Sequence, residues 1–474
     1  MQSSTSTLKS ACIVGFAFLF SNRVDRRTFP SLHLSERYSN STTSSISSIK
    51  PLLVILQCTD LSEDVANIAS SIDALSSEIS IYVTSTSGSF QNSSLWDIAY
   101  GVDARVVHCS PVVCDSVVFS LIAYEGYDEV LIVRLMDFNA TSQEVISTIK
   151  NSLWSRSTSA SSQSIGLFSC ELIRQLMSSP CFNVQYKAFN VIQRIREESA
   201  YLNQEGSREK ECVKKIQSSP VSNDTAVVLT AFKRDYFREV LTNICRQTIP
   251  PKLVLFIQNM AYTQLTMRMI PNECTTLNVQ FEHVWLSNWN SFSFMRHYIP
   301  IPSAIRNTIL VDDDMILKPD VFEKGLSTMH AHHCVATERG RLVEPNVNHK
   351  DWKMLTSAMV SNLTIVDYAF IPQFVDTEWR KHYVHVAPFS RRYGDILFMS
   401  SGLYRFSGIT PCIIPHFDFF EKDEGDDSMS TSKAHSDEYN ALYTGIAESW
   451  IAKGYVPVVK RSKREQTVHS NMKK

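Results

Sequence analysis

One stretch, Arg306 to Pro319 (RNTILVDDDMILKP), constrains the fold of this chain more than any other. Thr308, Ile309, Leu310 and Val311 form a short apolar run rich in β-branched residues, the pattern of a strand buried on both faces. The run stops at three carboxylates, Asp312, Asp313 and Asp314. A buried strand that ends in adjacent acids brings negative charge to the carboxyl edge of a sheet, and open α/β sheets bind ligands at that edge. Like charges this close repel, so a compensating cation is expected beside them. A divalent metal carrying phosphate oxygens suits the donor set, because Mg²⁺ and Mn²⁺ take one or two carboxylates together with substrate phosphates. The plain alternative is a solvated acidic turn, against which the buried strand weighs.

The rest of the chain sets bounds on that expectation. With 474 residues there is ample chain for two or three domains. A formal charge of -2 and the lack of a long basic patch argue against nucleic acid as a partner. The eleven cysteines include no C-x-x-C, so neither a zinc ribbon nor a thioredoxin-type motif is present. Cys109 and Cys114 are close enough in sequence to be bridged, with buried free thiols as the alternative.

Residues 1–49 differ in kind. Lys9 precedes the apolar run Ala11 to Phe20, and Arg23, Arg26 and Arg27 follow. The run is short for a membrane span and suits a signal peptide or short anchor, followed by a disordered stem. An organelle transit peptide is the alternative. N-x-S/T sequons at Asn40, Asn92, Asn139, Asn223 and Asn362 agree with a secretory route through the ER or Golgi lumen, with membrane association through the N-terminus.

From Pro51 the pattern is α/β. Residues 50–187 read as a smaller α/β domain, with strands at PLLVILQ, ISIYVTS, ARVVHCS, DEVLIVRL and SIGLFS and helices at Ser62–Ser76, Asp115–Tyr124 and Thr141–Trp154. Its strand DEVLIVRLMDF resembles the later acid-tipped one but ends in a lone Asp137. Residues 188–225, including VIQRIREESAYL, read as a helical linker with a solvated charged face. Residues 226–474 form the second domain. Ala226–Thr230 is a strand, a helix capped by Asp235 runs to about Gln247, and Lys252–Gln258 is the next strand, together a parallel βαβ unit. Thr230 and Gln258–Asn259 fall at its strand tips, where they read either as base or ribose contacts or as ordinary loop hydrogen-bonders. Arg296 reads either as a phosphate clamp or as a surface ion pair. His330, His332 and His333 read as a helix end near the surface.

These residues resemble the exostosin-like glycosyltransferases, a branch of the GT-A nucleotide-sugar transferases. The parts that carry the resemblance are TAFKRDYFREVLTNICRQTIPPKLVLFIQN, then NWNSFSFMR, then VDDD, then GDILFMSSGLYRF with Ser401 and Gly402, and last SDEYNALYTGIAESWIAKGYVPVV. They cover somewhat more than half the chain. The resemblance implies a GT-A, Rossmann-like fold for the second domain, with Asp314 as direct ligand to Mn²⁺. It implies Asp312 and Asp313 at the donor ribose and sugar, with Thr230, Arg234, Asn259, Asn290 and Arg296 around the uridine and phosphates. It implies Asp437 and Glu438 at the reacting face of the sugar.

Two positions depart from the family pattern. Glu438 stands where the family has a second Asp, and Ser436 where it usually has Cys. An ångström-scale displacement of a reacting carboxylate can cost about a hundredfold in rate. Asp426–Asp427 is an alternative acid pair, or else part of a flexible acidic loop. The implied activity is retaining, metal-dependent transfer of an N-acetylhexosamine from a UDP-sugar to a glycan or glycoprotein acceptor. An inverting transferase, or a catalytically impaired nucleotide-sugar or glycan binder, are the alternatives.

Overall fold

The computed structural model describes residues 52–86, 104–124, 127–155, 163–178, 190–202, 224–232, 237–259, 269–286 and 305–338. It also describes the shorter pieces 182, 301–302, 363–367, 411–415 and 419–421. The expected leader and stem, residues 1–49, lie outside this set. The architecture is mixed α/β around one large sheet.

The first half runs β1 (Leu52–Cys58), α1 (Glu63–Asp73), β2 (Ile79–Ser85), β3 (Ala104–Cys109), α2 (Cys114–Tyr124) and β4 (Glu129–Arg134). A 3-10 turn (Leu135–Asp137), α3 (Ser142–Ser155), β5 (Ile165–Ser169), α4 (Cys170–Ser178) and α5 (Val191–Leu202) follow. The second half runs β6 (Thr225–Phe232), α6 (Phe237–Cys245), β7 (Leu253–Asn259), α7 (Asn272–Thr276), β8 (Gln280–Leu286), β9 (Asn307–Asp312) and β10 (Met315–Leu317). It continues through α8 (Val321–His332), β11 (Val335–Thr337), β12 (Leu363–Asp367), β13 (Pro411–Ile413) and β14 (Phe419–Glu421).

Local chemistry accounts for the elements. Every residue of β1 is buried, as an apolar run without alternation requires. Ser62 caps α1 by accepting from Val65 N at 3.3 Å, Glu63 and Asp64 lie favourably against the positive helix end, and Val65, Ile68 and Ile72 are buried on one face. Thr141 and Glu144 form a capping box at the start of α3: Thr141 N donates to Glu144 Oε2 at 2.8 Å and Glu144 N to Thr141 Oγ1 at 3.4 Å. The helix read as part of a linker, α5, is packed instead. Val191, Ile192 and Ile195 are fully buried, and Arg196 lies over the Phe168 ring and donates to Ile165 O.

Among the described residues twelve strands share the large sheet, in the order β13-β11-β12-β9-β6-β7-β8-β3-β2-β1-β4-β5, and β10 pairs with β14 apart from it. The two halves use the same plan. In the first, β1, β2 and β3 step outward in parallel, β4 returns to the far side of β1, and β5 lies antiparallel beyond it. In the second, β6, β7 and β8 step outward in parallel, β9 returns to the far side of β6, and β12 lies antiparallel beyond it. The halves meet where β3 pairs antiparallel with β8. Consequently the carboxyl ends of β1–β4 point to one edge of the sheet and those of β6–β9 to the other.

Separate cores serve the halves. α1 and α3 cover one face of the first, and α6 and α8 one face of the second. Gly325 lets α8 approach β12, since a Cβ there would collide with the side chain of Ile365. Disulfides join Cys109–Cys114, Cys245–Cys274 and Cys334–Cys412. Cys58 is a buried free thiol, and burial pushes it up to about 12, which makes it inert. Disulfides of this kind fit a protein of the secretory pathway. Among the described residues no helix is long and apolar enough to cross a membrane.

Candidate functional site

Asn307 through Val311 of β9 are all buried, and the strand runs parallel to β6 in the middle of its half. Such a strand has no solvent face to offer polar residues, so its chemistry is confined to its tip. Thr230 of β6 and Asp312 of β9 are partners in register there. They sit where the strand order reverses, since β7 and β8 lie to one side of β6 and β9 to the other. This is the switch point at which doubly wound sheets hold ligands.

None of the three acids stands open to water. Asp313 is 7 % exposed, and Asp312 and Asp314 are partly buried. Asp313 and Asp314 form the turn that carries the chain from β9 of the large sheet into β10 of the small one. By strand alternation Thr230 and Asp312 share the face turned away from α6, whose contacts are made by Leu229, Ala231 and Val311. Thr230 is 6 % exposed.

The turn is held from behind by α6. Asn243 donates Nδ2 to Leu317 O at 2.6 Å and accepts Leu317 N on Oδ1 at 2.8 Å. One turn later Gln247 donates to Lys318 O at 3.0 Å and accepts Phe322 N at 3.2 Å, while Thr248 N donates to Pro319 O at 2.7 Å. An amide side chain bonded both ways to one backbone unit substitutes for a strand partner, so β10 is pinned on its helix side as well as by β14. These residues were missed in the sequence. The available signal was a polar pair spaced i, i+4 on the flank of the apolar stripe Val240, Leu241 and Ile244.

The strand tip of β7 divides. Gln258 is fully buried and its Oε1 lies 2.6 Å from His283 Nε2, so its side chain belongs to the interior and does not read a ligand. Asn259 ends β7, opposite Phe232 and Leu286. His283 stacks on Phe256, and burial, followed by the neighbouring His108, pushes it down to about 4. His108 in turn stacks on Trp285 across the junction of the halves, at 4.7 Å between ring centroids. His332 and His333 are exposed at the end of α8, with His333 in the left-handed conformation that closes it. Arg234, Asn290, Arg296, Ser401, Gly402, Asp426, Asp427, Ser436, Asp437 and Glu438 lie outside the described residues.

The first half carries a different group at the corresponding place. Gln57 and Arg134 are the last register partners of β1 and β4. Arg134 meets Asp115 Oδ1 at 3.1 Å and Asp137 Oδ2 at 2.8 Å, and Gln57 donates to Asp115 at 2.8 Å. The guanidinium thus brings its own counter-charges, whereas the tip of β9 presents acids.

Among the described residues no group of three or more His, Cys, Asp or Glu side chains could hold a metal alone. The acids at the tip of β9 are hard oxygen donors, and Mg²⁺ or Mn²⁺ sites that use one or two carboxylates leave the remaining positions to phosphate and water. The residues present therefore fit a metal that arrives with a phosphorylated ligand.

No protein-family model and no curated protein matches the sequence. Among solved structures the chain is similar to the crystal structure of S. aureus TarS, at 14% identity and a TM-score of 0.29. The match covers 51% of this chain and 46% of that one, so it spans less than half of TarS. Overlap that slight fixes neither the fold nor the chemistry of this chain.

Proposed function

We propose that the chain is a metal-dependent glycosyltransferase of the GT-A, Rossmann-like kind. It would move a sugar, an N-acetylhexosamine by its resemblance to the exostosin-like enzymes, from a UDP-sugar to a glycan or glycoprotein acceptor with retention. The observation that carries this is the acid-tipped strand β9, buried from Asn307 through Val311 and ending at the switch point beside Thr230, with no acid of the three left in open solvent.

In this reading Asp314 holds Mn²⁺, and Asp312 and Asp313 meet the donor ribose and sugar. Thr230, Arg234, Asn259, Asn290 and Arg296 surround the uridine and phosphates. When bound, the metal supplies Lewis-acid stabilisation of charge on the departing diphosphate. Arg296 would add the positive charge of its guanidinium against the same developing charge. Asp437 or Glu438 stabilises the oxocarbenium-like centre or orients the acceptor hydroxyl. The grip of Asn243 and Gln247 on the segment after the turn keeps Asp313 and Asp314 from drifting, which matters because positioning supplies much of the rate in such transfers.

The test is Asp314→Ala. It should abolish Mn²⁺-dependent UDP binding, measured by calorimetry, while leaving the thermal transition in place. Metal-dependent binding that survives the change would overturn the assignment. The competing reading, a nucleotide-sugar binder without turnover, draws on Glu438 in place of the family's Asp. Mn²⁺-dependent hydrolysis of UDP-sugars by the purified protein separates the two, since a binder shows none.

A further inference from the structure

We propose that Asn139 is an N-glycosylation site, and that its glycan stands on the edge of the sheet opposite the acid-tipped strand. The sequon Asn139–Ala140–Thr141 lies between the 3-10 turn and α3, and all three residues are exposed. Asn139 precedes the capping residue Thr141 by two positions, outside the helix, so a bulky substituent there displaces no helical packing. The disulfides among the described residues point to the oxidising compartment in which N-glycans are added.

Two other sequons differ at their hydroxyl residue. Thr225, belonging to the Asn223 sequon, is fully buried in β6, and Thr364, belonging to the Asn362 sequon, is 2 % exposed in β12. In the folded chain neither hydroxyl can be reached. Thr141 is reachable, but its Oγ1 donates to Glu144 Oε2 at 2.9 Å, so its helix cap competes with any other use of that hydroxyl.

The step is a group transfer. Asn139 Nδ2 bonds to the anomeric carbon of an oligosaccharide carried on a lipid diphosphate. The carbon–oxygen bond to the diphosphate breaks, the lipid diphosphate departs, and one amide proton is released. The donor is the host cell's lipid-linked oligosaccharide, and the protein's own activity plays no part.

The position has a consequence for access. β4 and β9 are seven strand spacings apart in the sheet, roughly 34 Å at about 4.8 Å each, and their carboxyl ends point to opposite edges. A glycan on Asn139 leaves the tip of β9 open.

The experiment is expression of the full chain in glycosylating eukaryotic cells, followed by peptide mass mapping with and without peptide N-glycosidase. The peptide containing Asn139 should carry a hexose-rich mass that the glycosidase removes. Asn139→Gln should abolish that mass and leave the melting temperature unchanged. Thr141→Ala should abolish it and also lower the melting temperature through the lost cap, whereas Thr141→Ser should keep both. An unmodified Asn139 in protein whose disulfides have formed would overturn the proposal. So would a glycan that persists in Thr141→Ala. Neither result bears on UDP-sugar transfer.

Discussion

Acid should loosen this protein through His283. The ring sits beneath Phe256 and against Gln258, next to His108, and its folded pKa of about 4 lies below the ordinary 6.5. As pH falls below 6.5 the unfolded chain takes up the proton while the folded chain does not, so the unfolded state gains. The stabilising contribution is thus complete above 6.5 and is lost as pH falls towards about 4. At ~1.4 kcal/mol per pH unit, that gap amounts to about 3 kcal/mol, a substantial share of a typical domain's total. Urea midpoints taken from neutrality down to about pH 4 would measure it. His283→Gln can still hydrogen-bond Gln258 but cannot titrate, so its stability should fall by about 3 kcal/mol less than the wild type's over the same range. The comparison matters because burial also lowers the pKa of His330, which adds a change of the same sign to both proteins. Equal pH slopes for the two proteins would refute the account.

Asn243→Leu removes both bonds to Leu317 and should cost about 1–3 kcal/mol, from two net hydrogen bonds of roughly 0.5–1.5 kcal/mol each. Under the proposed function it should also reduce turnover more than UDP affinity, and Asn243→Asp, which keeps the acceptor, should fall between. Turnover equal to wild type in Asn243→Leu would remove its positioning role. Replacing Cys245 and Cys274 together by Ala opens a loop closed across 29 positions. Chain entropy sets that loss at about 3–4 kcal/mol, and a change well under ~1 kcal/mol in denaturation midpoints would speak against it.

What the sequence made legible follows a physical line. β2 and α5 begin and end where their composition says, because a long apolar period or a strong amphipathic stripe carries its own signal. The acid-tipped β9 was legible for the same reason. β10, β13 and β14 were not, since three-residue strands exist only through distant partners. The junction of β3 with β8 was invisible too: both are ordinary strands, and nothing local states which edge meets which. Asn243 looks alike on paper whether it faces water or a backbone amide. Of the candidate site, Thr230 and the three acids come together as neighbouring strand tips, while α5 belongs to the first half's packing and Gln258 to the interior.

The repeated strand order has a consequence for the molecule's parts. Two like halves joined through antiparallel edge strands form the pattern that a twofold axis produces when identical subunits dock side by side. Cut between them, each half would be left with a bare strand, β3 or β8, whose unpaired amides and carbonyls invite a replacement. The second half made alone should therefore recover a sheet by pairing β8 with β8 of another copy, and so appear as a dimer.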